Sequence, residues 1–241
     1  MACNGYLVAQ KDLTNKPPDI PLPKERSCLM SSLISECSFV YQPIVTPEKH
    51  TIGYEVLTRH PKMTPQHTIH KIEKEHLVPQ HIFSMLSQIQ LRIPKTIPAF
   101  INITPKVLLL EGTRALLKNF SETHPIILEL TEDVSFIPYK DILSELHVPY
   151  IFDDFLSRHT LDEVAELDPV GIKISNVHTL KYLKNHKELF HAVIQFANDL
   201  DLLVVIEGIE TKEAFDFCTE ENVFVQGFYV ERPVQMPLLA G

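Results

Sequence analysis

The amino-acid sequence predicts an α/β protein, a TIM-like (β/α)8 barrel whose first strand is antiparallel to the second. Eight short runs of β-branched, aromatic and other apolar residues follow one another between residues 39 and 230. Longer stretches with apolar residues at helical spacing separate most of them, which is typical of alternating strands and helices. The connection TPEKH (46–50) is too short for a crossover helix, so the first two strands are predicted to be antiparallel. The later connections are long enough for right-handed crossovers.

The elements can be assigned in order along the chain. Residues 1–26, which include KPPDIPLPK, predict a poorly ordered N-terminal arm, and SCLMSSLISE (27–36) a short helix that leads into a single domain over 27–241. The segment LKYLKNHKELFHAVIQFANDL (180–200) shows the clearest helical pattern. The predicted strands are FVYQPIV (39–45), TIGYEVLT (51–58), AFINIT (99–104), IILELTE (126–132), YIFDDF (150–155), GIKIS (171–175), LVVIEGI (203–209) and FVQGFYV (224–230).

Composition excludes several classes of function. The net charge is −9 and no Lys/Arg stripe occurs, so we expect no direct binding of a nucleic-acid polymer. No apolar run reaches the roughly 18 residues of a membrane span. The four cysteines form no metal-binding or disulfide pattern, and the N-terminus lacks the apolar region of a secretory signal, so we expect a cytoplasmic protein with free thiols. His67 and His70 are interpreted as solvated surface residues.

Polar side chains interrupt every predicted strand, most of them toward the C-terminal end. In a barrel these ends converge on one mouth, where active sites lie. Taken singly, the residues have ordinary explanations: Asp154 or Glu132 as a helix N-cap, Asn102 in a turn, Lys173 as a surface lysine. The full set is Gln42, Glu55, Arg59, Asn102, Glu129, Glu132, Asp153, Asp154, Lys173, Glu207, Glu210 and Gln226.

Together these residues predict a metal site. Several carboxylates at one mouth would repel one another unless cations lay between them. Carboxylate and amide oxygens suit Mg²⁺ or Mn²⁺, and two such ions suit the attack of water on a phosphodiester. Glu55, Leu57 and Arg59 alternate onto one strand face, where the planar guanidinium of Arg59 is suited to binding a phosphate.

The ordered motifs YQPIV, YEVLTR, NITP, ELTE, DDF, KIS, EGIET and QGF…RP resemble the EAL-domain family of cyclic di-GMP phosphodiesterases, over residues from about 36 to 235. The resemblance implies two ions of Mg²⁺ or Mn²⁺ per active site and hydrolysis of cyclic di-GMP to linear pGpG. It also implies a homodimer through the face near the loop after strand five. The signature E-x-L-x-R has valine here where alanine is usual.

The resemblance further implies a role for each matching residue. Glu55, Asn102, Glu129 and Asp153 would bind the first metal, and Asp153, Asp154 and Glu207 the second. Lys173 would position the attacking water, and Glu207 would be the general base. Gln226 would hydrogen-bond within this network. Gln42, Leu57, Arg59 and Glu210 would contact the dinucleotide, and Glu132 would brace the loop after strand five.

One segment departs from the family pattern. After DDF the family usually continues G-T-G-Y-S-S-L, whereas this chain has LSRHTL (156–161), which is one residue shorter and lacks glycine. Leu156 and Arg158 enter glycine-type conformations only at a cost, so we expect a different loop shape. The aspartate usual after the lysine strand is Ser175 here.

The residues leave three interpretations open. The chain is an active cyclic di-GMP phosphodiesterase, or a catalytically impaired barrel that acts as a cyclic di-GMP receptor or protein-interaction module. The third is an unrelated barrel enzyme that uses Mg²⁺ on an enolate or phosphate substrate, which the ordered motifs disfavour.

Overall fold

Eight strands close into a barrel in the order β1 to β8. The computed structural model describes residues 31–131, 134–175 and 185–239. The predicted arm over 1–26 lies outside these residues. The strands are β1 Ser38–Val45, β2 Thr51–Arg59, β3 Ala99–Ile103, β4 Ile126–Leu130, β5 Tyr150–Phe152, β6 Gly171–Ile174, β7 Leu203–Ile206 and β8 Phe224–Val225.

Helices follow most of the strands and pack around the barrel. Of the helix predicted over 180–200, the structure describes the part from Lys187 to Asp199, which begins after the N-cap His186, and residues 176–184 lie outside the described part of the chain. The helices are α1 Ser32–Glu36, α2 Pro65–Lys74, α3 Val78–Arg92, α4 Pro105–Leu109, α5 Glu111–Ser121, α6 Lys140–Leu146, α7 Phe155–Arg158, α8 Leu161–Leu167, α9 Lys187–Asp199 and α10 Lys212–Glu220, with a 3-10 turn at Ile137–Tyr139.

The predicted antiparallel first strand is confirmed. β1 pairs antiparallel with β2 from Ser38↔Arg59 to Val45↔Thr51, and it closes the barrel antiparallel to β8. The remaining neighbours are parallel. Because β1 runs in the opposite sense, its N-terminal end lies at the mouth, beside the C-terminal ends of the other strands.

The barrel interior contains two layers of side chains. The lower layer is apolar and is centred on Ile44, Phe100, Ile151 and Val205. Two residues further toward the mouth, the same strands present Gln42, Asn102, Asp153 and Glu207, because side chains two apart in a strand share a face. The interior is therefore a packed apolar plug with a polar layer above it.

Gly53 shows how tightly the lower layer is packed. A Cβ atom at this position of β2 would lie 2.3 Å from the Phe100 ring. Glycine is therefore required where β2 passes that ring, and the next inward residue on the same face is Glu55. The packing of the apolar layer thus determines the level along the barrel axis at which the Glu55 carboxylate lies.

Outside the barrel, α3 packs against β2 through a buried polar pair. The Thr58 hydroxyl lies 2.9 Å from Nε2 of His81, and the His81 ring contacts Phe39. Burial lowers the pKa of His81 to about 4, so its imidazole is neutral at pH 7. In the described part of the chain, every helix is too short or too polar to span a bilayer.

The predicted strands after β2 were too long at their C-terminal ends. The strand ladder stops one residue before Asp153, Glu207 and Gln226, although the backbone N–H of each still donates to the neighbouring strand. Beyond them the chain turns to bring these side chains to the mouth. At Gly227 it passes so close to Ile209 that a Cβ would lie 2.2 Å from that backbone.

Candidate active site

Lys173 lies at the centre of the polar layer and is completely buried. Its ammonium group is 2.6 Å from Glu207 Oε1 and 2.8 Å from Glu129 Oε1. It is also 3.5 Å from Glu55 Oε2 and 3.9 Å from Asp153 Oδ1. Four strands thus direct carboxylates at one lysine from β6. The interpretation of Lys173 as a surface lysine is wrong.

Amide groups hold the Glu55 carboxylate from two sides. Nδ2 of Asn102 donates to Glu55 Oε1 at 3.1 Å, and Nε2 of Gln226 donates to Oε2. Gln226 also donates to Gln42 Oε1 at 3.3 Å, and Gln42 donates to the carbonyl of Glu231 at 3.2 Å. The chain of amides orients Glu55 and ties β1 to β8. Asn102 lies within β3, so its interpretation as a turn residue is also wrong.

Burial and the neighbouring charges shift the pKa values of the acids in different directions. Burial, reinforced by Glu55, raises the pKa of Glu129 well above its usual value. Burial also raises the pKa of Asp153, and that of Glu207 to about 7. Burial would raise the pKa of Glu55 too, but the charge of Lys173 and the two amide hydrogen bonds hold it below the ordinary value. With all four acids ionised, the layer would have more negative charge than one lysine can balance.

The Lys173 pKa follows from the same balance. Burial alone would lower it, because an ammonium group is costly to desolvate. The surrounding carboxylates, Glu129 and Glu207 foremost, outweigh that effect and raise the pKa well above its usual value. Lys173 is therefore charged at neutral pH.

The donor set fits divalent cations. Oxygens of Asp153, Asp154 and Glu207 lie within 4.8 Å of one another. Among the described residues, neither oxygen of the buried Glu129 carboxylate accepts a hydrogen bond of ordinary geometry, and Lys173 is its close counter-charge. Oxygen ligands without cysteine or histidine suit Mg²⁺ or Mn²⁺.

The segment after β5 forms a single helical turn. Asp154 adopts the left-handed conformation, with φ 51° and ψ 40°, and its backbone N–H donates to Asp153 Oδ1 at 3.1 Å. The carbonyl of Asp154 then accepts the N–H groups of Ser157 and Arg158. This turn, α7, brings Arg158 back over Asp154, with Nε 3.0 Å from Oδ2. The different loop shape that the missing glycines predict is thus a helical turn.

His159 and Glu163 attach this turn to the barrel. The His159 ring stacks on Phe152 with 4.4 Å between centroids, and its Nε2 donates to the Leu130 carbonyl at 3.1 Å. The Glu163 side chain caps α8 together with Thr160 and accepts the Phe136 N–H at 3.0 Å. Both side chains are buried, so the loops after β4 and β5 are joined below α7.

A cavity of about 460 Å³ opens beside the carboxylates. It is bounded by β2, α2, α3 and the residues after β3, and its wall includes Glu55, Leu57, Arg59 and Asn102. The Arg59 guanidinium is oriented by donation of Nη1 to the Thr58 carbonyl at 3.0 Å. The cavity thus places a cation and an apolar side chain next to the polar layer.

Most of the sequence-predicted residues therefore meet at one mouth. Gln42, Glu55, Asn102, Glu129, Asp153, Lys173, Glu207 and Gln226 form one connected polar cluster, and Asp154 borders it. Leu57 and Arg59 face the adjoining cavity. Glu210 is exposed, three residues after Glu207. Glu132, predicted to brace the loop after strand five, lies outside the described residues.

Sequence reasoning missed four residues around this cluster. Arg158 was considered only for its backbone, although its i,i+4 spacing from Asp154 would have indicated an ion pair if the segment were helical. Thr160 and Glu163 carry the spacing of a capping box, which predicts a helix beginning there. His159 has no sequence signal that distinguishes it from a surface histidine.

Several known proteins are similar to this chain. PdeN of Escherichia coli K12, named a probable cyclic di-GMP phosphodiesterase, is 28% identical over 249 residues, which cover 86% of this chain and 46% of PdeN. The chain spans about half the length of the curated relatives it matches. BlrP1 of Klebsiella pneumoniae, solved with manganese and cyclic di-GMP, superposes with a TM-score of 0.71 at 22% identity, covering 85% of this chain and 58% of BlrP1.

An EAL domain protein of Listeria monocytogenes superposes over 88% of this chain and 95% of its own, with a TM-score of 0.68 and 21% identity. These structural similarities confirm the barrel fold. The sequence profile of the EAL domain matches residues 29–233, which is most of the chain. The protein is therefore a member of the EAL domain family.

Proposed function

We propose that this protein hydrolyses cyclic di-GMP to linear pGpG by a metal-dependent reaction and so lowers the concentration of the cyclic dinucleotide. The observation that carries the proposal is the buried layer in which four carboxylates surround Lys173, at the mouth of a barrel of the EAL family. The names of PdeN and the ligands of BlrP1 support the choice of substrate.

The metal-binding residues follow from the donor set. Glu55, Asn102, Glu129 and Asp153 are proposed to hold one ion of Mg²⁺ or Mn²⁺, and Asp153, Asp154 and Glu207 a second. Two such ions supply an activated water and stabilise the entering and leaving oxygens of a phosphodiester. Two observations support this assignment: the proximity of the Asp153, Asp154 and Glu207 oxygens, and the lack, among the described residues, of an ordinary hydrogen bond to either oxygen of Glu129.

Lys173 and Glu207 are proposed to handle the proton of the attacking water. Their side chains are 2.6 Å apart, so the ammonium group can orient a water molecule next to the carboxylate. The Glu207 carboxylate then lies where it can accept a proton from that water. About one-fifth of the Glu207 side chain is exposed, which gives that proton a route to solvent.

The dinucleotide is proposed to lie across the mouth and enter the adjoining cavity. Arg59 contacts a phosphate and Leu57 a base, with Gln42, Glu210 and Gln226 as further polar contacts. The cavity volume is in the range of small-molecule sites. Glu132 remains the proposed brace of the loop after β5.

We also propose a cytoplasmic homodimer. The free thiols of Cys37 and Cys218 fit a reducing compartment. Near the loop after β5, the side chains of Val134, Ile137 and Leu161 are apolar and exposed, which supports a dimer through that face.

The second candidate function is a cyclic di-GMP receptor or protein-interaction module without turnover. The Arg158–Asp154 ion pair favours it, because it engages a carboxylate that the second metal needs. The two functions differ in product formation.

Incubation of the purified chain with cyclic di-GMP and Mg²⁺ or Mn²⁺, followed by chromatography, tests the proposal. We expect pGpG with metal, none with EDTA, and a loss of at least about 100-fold in rate in Glu55→Gln. The exposed Glu166→Gln serves as the matched control and retains the wild-type rate. Saturable binding of cyclic di-GMP without pGpG under either metal would favour the receptor.

A further inference from the structure

The turn that replaces a glycine-rich loop carries a cation of its own. Buried side chains anchor both ends of α7, Phe155 at its first residue and His159 directly after its last. Its backbone places Arg158 four residues after Asp154, on the same side of the turn. The position of the guanidinium is therefore set by the fold of the segment.

The guanidinium engages the carboxylate at the edge of the polar layer. Nε of Arg158 is 3.0 Å from Asp154 Oδ2, and about a third of each side chain or less is exposed. One carboxylate oxygen of Asp154 also lies within 4.8 Å of one oxygen each of Asp153 and Glu207. One carboxylate thus faces both the proposed second metal and an arginine.

We propose that Arg158 is a resident counter-ion of the second metal position, which an incoming divalent cation must displace from Asp154. This inference rests on the proposed function, because it assumes that Asp154 is a metal ligand. Arginine stays charged throughout the accessible pH range, so the competition does not depend on its protonation. It makes Arg158 a positioning residue that weakens the binding of one ion and leaves the other unaffected.

The size of the effect follows from the exposure of the pair. A partly exposed ion pair changes an equilibrium by up to about fivefold, and a positive charge beside the site repels a divalent ion further. Removal of the guanidinium is therefore expected to tighten the second ion by roughly three- to tenfold.

Titration of the metal-free protein with Mn²⁺ alone, with free Mn²⁺ measured by electron paramagnetic resonance, tests the inference. We expect two affinities in the wild type, of which only the weaker tightens by roughly three- to tenfold in Arg158→Gln. Arg158→Lys keeps the charge and is expected to remain near the wild type. Lys118→Gln removes the same charge near the C-terminal end of α5, at the opposite end of the barrel, and should bind Mn²⁺ as the wild type does.

Unchanged or weaker binding of both ions in Arg158→Gln, in a protein that binds two Mn²⁺, overturns the inference and leaves the proposed function intact. The same holds if Lys118→Gln tightens the second ion equally, because the effect is then one of net charge. Failure of every form to bind Mn²⁺ overturns the proposed metal site and the inference with it.

Discussion

Lys173 is the single residue on which the polar layer most depends in the absence of metal. It is a completely buried cation whose ammonium group lies within 4 Å of four carboxylates. Each partner compensates the desolvation of the other, and neither is stable there alone. The lysine is therefore a structural counter-charge as well as the proposed partner of the attacking water.

Replacement of Lys173 by methionine should destabilise the metal-free protein by about 3–5 kcal/mol, because it leaves buried carboxylates without their cation. Urea unfolding in EDTA measures this loss, and a repeat with Mn²⁺ should recover part of it. Lys140→Met is the matched control, since its ion pair with Glu166 is exposed, and it should cost less than about 1 kcal/mol. Equal stability of the two variants in EDTA would contradict this role.

Gly53 is the second residue whose identity the packing dictates. A methyl group at this position would meet the Phe100 ring at 2.3 Å, so Gly53→Ala should destabilise the protein by about 1–3 kcal/mol through overpacking. Gly112→Ala is the matched control, because nothing lies within 4 Å of the added atom, and it should be neutral or stabilising by up to about 1 kcal/mol. Urea unfolding of both variants checks the contrast, and equal effects would contradict the two-layer interior.

At the scale of elements, β2 and α3 are joined by a neutral buried histidine. The pKa of His81 is about 4 in the folded protein and about 6.5 in the unfolded chain, so the unfolded state binds the proton more readily between these values. This group therefore costs stability as the pH falls through that window, and the cost is absent above about pH 7.

His81→Gln removes the titrating group, so its unfolding free energy relative to wild type should rise by about 2 kcal/mol between pH 7.5 and pH 5. Chemical unfolding at the two pH values measures this difference. His67→Gln, at an exposed position of α2, should keep the wild-type pH dependence. If His81→Gln lost as much stability as the wild type at pH 5, the pH dependence would not come from His81. A neutral His81 would then not be what joins α3 to β2.

The elements also show where sequence reasoning reached its limit. The strands could be predicted because their apolar runs are separated by helical patterns, and the short TPEKH connection predicted the direction of β1. The shape of α7 could not be predicted from the sequence, because it depends on the left-handed backbone conformation of Asp154. The hydrogen bond between His159 and Leu130 could not be predicted either. It joins residues far apart in sequence, and it depends on that turn and on the pairing of β4 with β5.

At the scale of the whole molecule, the candidate site results from alternation repeated around a closed barrel. Period-two spacing puts Glu55, Asn102, Glu129, Asp153 and Lys173 on the inner face, and closure brings them to one height. Which residues face the interior can be predicted from sequence, because the alternation within each strand is enough to assign its inner face. The balance of charge among them cannot, because the raised pKa of Glu129 depends on distances between different strands.

The proposed binding of two divalent ions in this layer is tested most directly by anomalous-scattering diffraction from crystals soaked in Mn²⁺. We predict two Mn²⁺ peaks, one among Glu55, Asn102, Glu129 and Asp153 and the other among Asp153, Asp154 and Glu207. Crystals of Asp153→Asn, which lacks the carboxylate shared by both sets, should show weaker peaks at both positions. A polar layer without Mn²⁺ in wild-type crystals, or with Mn²⁺ bound only elsewhere, would contradict the account.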